Sequence, residues 1–446
     1  MTVTPAGAVP PVAELADFAA LHAKALGIGR TELRQGLDAI RRDGTPEAWP
    51  RTWNRLAEHH TRAGRPLHAC RAHVLARFPY PADEHRRTAT DRAVRAFDTW
   101  RRSHGGIDRL ELGLSGGTLA AWTAGLTPRA GRPLLLVLGG IISVKEQWAP
   151  FLTAARRLGV AVVVTEMPGV GENTHRYGPH STAMIPELLD ELGPASCAAG
   201  VQVVALSFAG QLALSAAAED PRITAVHTVG APTDGVFRDP AVWAALPRTT
   251  TTTLTHLVQR EPERTRKELA ALALDEETLA RVRVPVRYVA SRRDEIIPRR
   301  EWERLAERLP DFTWVEFDDV HGSPAHLTDT RLWLLRGVLD TLGDRRARAP
   351  GAVLALRGNT GRGGTTRTCG TGRTAVGRAP ADTPADRTRT RVGSTAADRT
   401  PTGSASVDRT PPGSTPADSA PDSRTPVDRS PADRTGADRR QEGSRR

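Results

Sequence analysis

Cysteine is scarce, with three in 446 residues at Cys70, Cys197 and Cys369. An odd number at wide, irregular spacing suits neither a disulfide framework nor a zinc site, so a reducing, cytoplasmic setting is expected and no metal. Aromatic residues make up only 4% of the chain, and long apolar runs are missing. The most apolar stretch, Leu134 to Ile142, is interrupted by Gly139 and Gly140 and falls short of the roughly 18 residues a membrane span needs. The first 23 residues contain no basic segment leading into an apolar core, so no secretory signal is read there. Neither GxxxxGK[ST] nor GxGxxG occurs, which argues against a phosphate-bearing cofactor. No cofactor is expected.

Positive charge is abundant, but it is unevenly placed. The formal net charge is +11, a balance that could signal nucleic acid or an acidic membrane. From Arg345 to Arg446 there are 20 Arg and no Lys against 9 Asp and 1 Glu, which leaves 42 basic and 41 acidic residues in the first 344. The surplus therefore belongs to the tail. That tail is built from Arg, Thr, Pro, Ala, Asp, Gly and Ser, with ADRT or VDRT recurring at 385, 397, 407 and 432, and all nine tryptophans precede it. Such a composition cannot bury enough apolar surface to offset its ordering entropy, so residues 345–446 are predicted to be disordered. Asp regularly neighbours Arg there and no aromatic ring is available to stack on bases, so nucleic acid is not expected as a partner.

The first 105 residues read as helices. Leu15, Phe18, His22 and Leu26 recur at helical spacing, as do Trp49, Trp53, Leu56 and His60, with Pro and Gly between the runs. A surface or packing role is the plain one for His59 and His60. Residues 106–344 change to short apolar strands alternating with helical patterns, which predicts an α/β domain with a mostly parallel, eight-stranded sheet. The strands are placed at Leu110 to Leu114, Thr118 to Thr123, Pro133 to Leu138, Val160 to Thr165, Val201 to Leu206, Ile223 to Val229, Val284 to Ala290 and Thr313 to Phe317. Residues 234–281 break this rhythm and read as a helical insertion that adds to a lid.

The chemistry is concentrated at strand ends. Val201 to Leu206 runs into Ser207, Phe208, Ala209 and Gly210 and then a helix, the layout of a nucleophile elbow. Glycine usually flanks the serine on both sides, and here Ala205 and Ala209 stand in those places. A serine nucleophile needs a base and an acid that orients the base. Asp294 follows one later strand and His321 the last one, in the serine, acid, histidine order of the α/β-hydrolase fold. Glu295 competes for the acid role and His326 for the base role, while Asp318 and Asp319 read as loop-solvation or turn residues, with assistance to the histidine as the alternative. The oxyanion donors are assigned to the backbone N–H groups of Phe208 and Ile141, with Ile142 as the alternative to Ile141.

These residues resemble the FrsA-like (fermentation-respiration-switch-like) esterases of the α/β-hydrolase superfamily, a group that includes 2,6-dihydroxypseudooxynicotine hydrolase and fungal polyketide chain-shortening hydrolases. The resemblance is carried by the block Gly139 to Glu146 (GGIISVKE), by Glu166 to Glu172 (EMPGVGE) and by the elbow at Ser207. The helical segment around Trp53 is similar to that family's N-terminal domain. Ile142 and Glu166 stand where the family usually has an acid and an aspartate. The resemblance implies hydrolysis of an ester, or of a C–C bond beside a ketone, in a bulky aromatic or polyketide-like small molecule. Acyl transfer or cyclisation by the same triad is the alternative, and a non-catalytic binding protein on a hydrolase scaffold is another. Self-association into a homodimer is left open.

Overall fold

The computed structural model describes residues 10–127, 131–356 and 367–368. Five helices come first: α1 (Val12–Leu26), α2 (Arg30–Asp43), α3 (Ala48–Arg62), α4 (Pro66–Arg77) and α5 (Glu84–His104). Their ends follow local chemistry. Gly27 takes the left-handed conformation that closes α1, and the Asp83 carboxylate accepts the Arg86 amide at the start of α5. The apolar stripes read from the sequence are buried, with Leu15, Leu26, Trp49 and Trp53 each 4% exposed or less.

Eight strands follow: β1 (Asp108–Leu114), β2 (Gly117–Ala124), β3 (Leu134–Leu138), β4 (Ala161–Thr165), β5 (Val201–Leu206), β6 (Ile223–Val229), β7 (Val286–Ser291) and β8 (Phe312–Phe317). Their order across the sheet is β1-β2-β4-β3-β5-β6-β7-β8, and the two-residue strand Arg367–Thr368 pairs at the β8 edge. β1 and β2 enter antiparallel, and β3 to β8 run parallel. Every residue of β3 and β4 is buried, as expected for β-branched and leucine runs covered by helices on both faces. The covering helices are α6 (Ala149–Leu158), α7 (Met184–Leu192), α8 (Phe208–Glu219), α11 (Arg299–Arg308) and α12 (Leu327–Thr341). Between β6 and β7 the insertion supplies α9 (Arg248–Val258), α10 (Pro262–Leu269) and shorter turns.

A 3-10 turn, Lys145–Trp148, precedes α6. One expectation is corrected: order continues past residue 345, because a turn at Arg345–Ala347 leads into α13 (Arg348–Leu356). The cause is local composition. Pro350 and Leu354 of α13 are buried, and Arg346 donates to the carbonyls of Arg157 and Leu158 at the end of α6. The repeat-bearing part of the tail and Cys369 lie outside the described residues, while Cys70 and Cys197 are buried and unpaired. Among the described residues no helix is long and apolar enough to cross a membrane.

Candidate active site

Parallel strands deliver their C-terminal loops to one edge of a sheet, where such folds gather their ligands. Leu138 of β3 is paired with Ala205 of β5, and Leu206 of β5 with Val229 of β6. Two residues beyond the first pair, Gly140 faces Ser207, and one beyond the second, Gly230 follows. The register alone therefore sets Gly140, Ser207 and Gly230 side by side. β7 and β8 end in register at Ser291 and Phe317, and their loops carry Asp294 and His321.

Ser207 has φ 55° and ψ −131°, a strained backbone for a residue with a Cβ and the mark of a turn held open by its surroundings. Its N–H donates to the Val229 carbonyl at 2.8 Å, and its own carbonyl accepts from Gly210 at 2.8 Å. The tight approach expected of flanking glycines falls on Gly210, where a Cβ would lie 2.3 Å from Thr228 Oγ1 and 2.5 Å from Ala231 Cβ. Ala205 and Ala209 are fully buried beside it.

The three side chains meet. His321 Nε2 lies 2.9 Å from Ser207 Oγ, and His321 Nδ1 lies 3.0 and 2.9 Å from the two oxygens of Asp294. Asp294 Oδ1 also accepts the amides of Ile296 and Ile297 at 3.0 and 2.8 Å, which fixes the carboxylate. With Nδ1–H donating to that carboxylate, Nε2 is left to accept from the serine hydroxyl. Burial works against a charged His321, but the charge and hydrogen bond of Asp294, with Glu295 beyond, outweigh it and raise the ring above its ordinary value. Glu295 does not meet the imidazole as a competing acid, since its carboxylate accepts the His321 backbone N–H. His326 caps α12 and stacks on Phe317 with centroids 4.6 Å apart. Asp318 is ion-paired to Arg293, whereas buried Asp319 accepts the amides of Val320 and Ala325 and ties the His321 loop together.

The loop after β3 presses on the nucleophile. A Cβ on Gly140 would sit 3.0 Å from Ser207 Cβ and 3.6 Å from its Oγ, so any larger residue there would press directly on the nucleophile. Ile141 comes next and is 7% exposed. On the other side, Gly230 has φ 60°, and a Cβ there would meet His321 Cε1 at 2.8 Å. Phe208 opens α8 and is fully buried.

Beneath this loop lies an ionic cluster centred on the fully buried Lys145. Lys145 Nζ is 3.0 Å from Glu146, 3.4 Å from Glu166 and 2.6 Å from Glu172. Glu166 accepts the backbone amides of Lys145 and Glu172, Glu146 accepts the indole N–H of Trp122, and Arg109 grips Glu172 with two nitrogens. Burial opposes the charge on Lys145, yet the three carboxylates raise it overall. Burial raises Glu166, only partly offset by Lys145, while Arg109 and Lys145 together hold Glu172 low against burial. The signal was present as the Gly139 to Glu146 and Glu166 to Glu172 blocks, whose charged residues face each other rather than the nucleophile.

Side chains from elsewhere also reach the edge. Arg77, the last residue of α4, donates to the Ile142 carbonyl at 2.5 Å and the Pro79 carbonyl at 3.1 Å. α1 spans the same region, with Glu14 accepting the Thr249 amide and hydroxyl of α9 and Lys24 donating to the Pro324 carbonyl beyond His321. An arginine closing the Ala- and Leu-rich stretch of α4 was the one available hint of the first of these.

No protein-family model and no curated protein matches the chain. Among solved structures it is similar to wild-type AbyA5, with 43% identity over 78% of this chain and 100% of that one and a TM-score of 0.74. A second AbyA5 structure gives 46% identity over 71% and 93%, with a TM-score of 0.67. The 2,6-dihydroxy-pseudo-oxynicotine hydrolase is 20% identical over 71% of this chain and 93% of that one, with a TM-score of 0.55, a likeness of fold. On the AbyA5 identity and coverage, the chain belongs to the AbyA5 family, built on the α/β-hydrolase fold.

Proposed function

We propose that the protein is a serine-dependent hydrolase of the FrsA-like type, cleaving an ester, or a C–C bond beside a ketone, in a bulky aromatic or polyketide-like small molecule. The observation that carries this reading is the continuous Ser207, His321, Asp294 hydrogen-bond chain at 2.9 Å per link. In the proposed reaction Ser207 Oγ attacks the substrate carbonyl carbon while its proton passes to His321 Nε2. The oxygen that becomes anionic is received by the N–H groups of Ile141 and Phe208, and Asp294 stabilises the imidazolium. His321 then protonates the leaving alkoxide or carbanion as the bond to the carbonyl carbon breaks. Water, deprotonated by His321, releases the acid and restores Ser207. α1, tied to α9 through Glu14 and to the loop after His321 through Lys24, would help to exclude bulk water while the substrate is seated.

Replacing Ser207 by Ala should abolish turnover of short aryl esters while the chain stays folded. Unchanged turnover in Ser207→Ala would overturn the nucleophile assignment. Acyl transfer differs only in which hydroxyl resolves the acyl-enzyme, and product masses with and without a competing alcohol separate it from hydrolysis.

A further inference from the structure

Among the described residues three that are not glycine have a positive φ, and two of them have a plain reason. Gln259 closes α9, where a left-handed cap is ordinary, and Ser207 forms the elbow turn. Ser323, two residues beyond His321, is the third, with φ 50° and ψ 53°. A Cβ is crowded in that conformation, so glycine would be the less strained choice. Gly322 stands next to it with φ 77°, yet position 323 is a serine, and a fully buried one. A side chain persists in such a place only where its surroundings over-determine it.

Ser323 Oγ lies 2.8 Å from Ser291 Oγ. Ser291 is buried too; it ends β7 and is paired in register with Phe317 of β8. The bond therefore joins the end of the strand that leads to Asp294 with the loop that carries His321. Backbone bonds close that loop, since the Ser323 amide donates to the Val320 carbonyl and its carbonyl accepts from His326, both at 3.0 Å. The other side of His321 is tied to the same neighbour, with Glu295 accepting the His321 amide at 2.9 Å and the Arg293 amide donating to the Asp319 carbonyl at 2.9 Å. Glu295 is exposed, whereas the two hydroxyls are shut away from water, where a hydrogen bond is stronger and one left unmade costs more.

We infer that Ser291 and Ser323 are positioning residues: their hydroxyl pair holds the His321 loop against the end of β7, so that the imidazole stays between Asp294 and Ser207. Neither hydroxyl touches the reacting atoms. The same bond accounts for a serine where glycine would be less strained. A glycine at 323 would relax the backbone and release the loop, so rate should fall without a matching fall in stability. The imidazole is faced by Asp294 and Glu295 from the β7 loop and by His22 from α1, while Asp318 is paired with Arg293 and Asp319 holds two backbone amides. A slackened loop weakens the hold of Asp294 on the ring. The inference rests on the reading of His321 as base only for the effect on rate; the hold on the Asp294–His321 pair does not.

The test compares Ser323→Gly, Ser323→Ala, Ser291→Ala and the Ser291→Ala with Ser323→Gly double variant in the full chain. Three quantities are measured: the thermal midpoint, kcat and KM for a short aryl ester, and the NMR titration of the His321 imidazole. Each single variant should lower kcat about tenfold with KM within about twofold of wild type, and the double variant should lose no more than either single one. The imidazole midpoint should fall in all four. Ser323→Gly should melt above Ser323→Ala, since the alanine keeps the strain, yet lose as much rate. Wild-type kcat in Ser323→Gly or Ser291→Ala, losses that multiply in the double variant, a rate that follows the order of the thermal midpoints, or an imidazole that titrates as in wild type would each overturn the inference. Should both Ser323 variants fail to fold, kcat, KM and the imidazole titration of Ser291→Ala decide it. If Ser207→Ala turned over the ester as wild type does, the hydrolase reading would fall, and the imidazole titration would still decide whether the pair holds His321 to Asp294.

Discussion

Two groups of charged side chains lie on either side of the loop after β3, and they are built in opposite ways. Ser207, His321 and Asp294 are brought from three separate strand ends, and His321 keeps 16% of its side chain exposed. Lys145, Glu146, Glu166 and Glu172 come from two short blocks, and the lysine and first two glutamates are sealed, at 1% exposure or less. An accessible, sparsely connected constellation suits chemistry, because a substrate must enter and protons must move. A closed one with nearly every donor and acceptor paired suits holding a backbone still. The most distinctive block of sequence thus serves the support of the loop, while the residues proposed to react are spread through ordinary-looking strand ends.

That contrast predicts that substitutions in the first group lose rate and keep stability, whereas those in the second lose stability first. Ser207→Ala should lower turnover of an aryl ester by about 10⁴-fold or more with an unchanged thermal midpoint; a matching loss of midpoint would blur the division. Asp294→Asn should cost on the order of 10⁴-fold and alter the pH profile. Because the acting form of His321 is neutral and Asp294 raises its pKa, wild-type activity should climb through a midpoint above 6.5, and Asp294→Asn should move that midpoint down. A profile unmoved by the substitution would detach Asp294 from His321.

On the other side, Lys145→Met strands three carboxylates and should destabilise the fold by about 3–5 kcal/mol, read from urea unfolding; a loss of rate at full stability would place the lysine in the chemistry instead. Gly230→Ala forces a side chain towards His321 and should reduce activity by about 10- to 100-fold, with a smaller effect on unfolding. Glu14→Ala removes the tie between α1 and α9 and should cost about 1 kcal/mol, seen as faster proteolysis within α1.

The sheet and much of the constellation were legible because their signals are local or periodic. β5 and β6 occupy the residues the apolar pattern marks. Ser207, Asp294 and His321 could be picked out because each follows a strand, and parallel strands share an exit. What escaped depends on contacts across long separations. Arg77 meets Ile142 from 65 residues away, and Glu14 meets Thr249 from 235, distances over which no periodicity speaks. Glu301 looked like one more polar residue of α11, yet it is buried and accepts the amides of Thr233, Asp234 and Val236. The ordered helix α13 was hidden by the composition of the tail that follows it.

Everything proposed for this protein depends on Ser207 being an activated nucleophile. Treating the folded wild-type chain with a fluorophosphonate and mapping the adduct by peptide mass spectrometry asks this directly. One phosphonyl group on Ser207, formed faster as pH rises through the His321 midpoint, is the result the hydrogen-bond chain predicts. An unmodified Ser207 in a properly folded chain, or a label carried by some other residue, would contradict it.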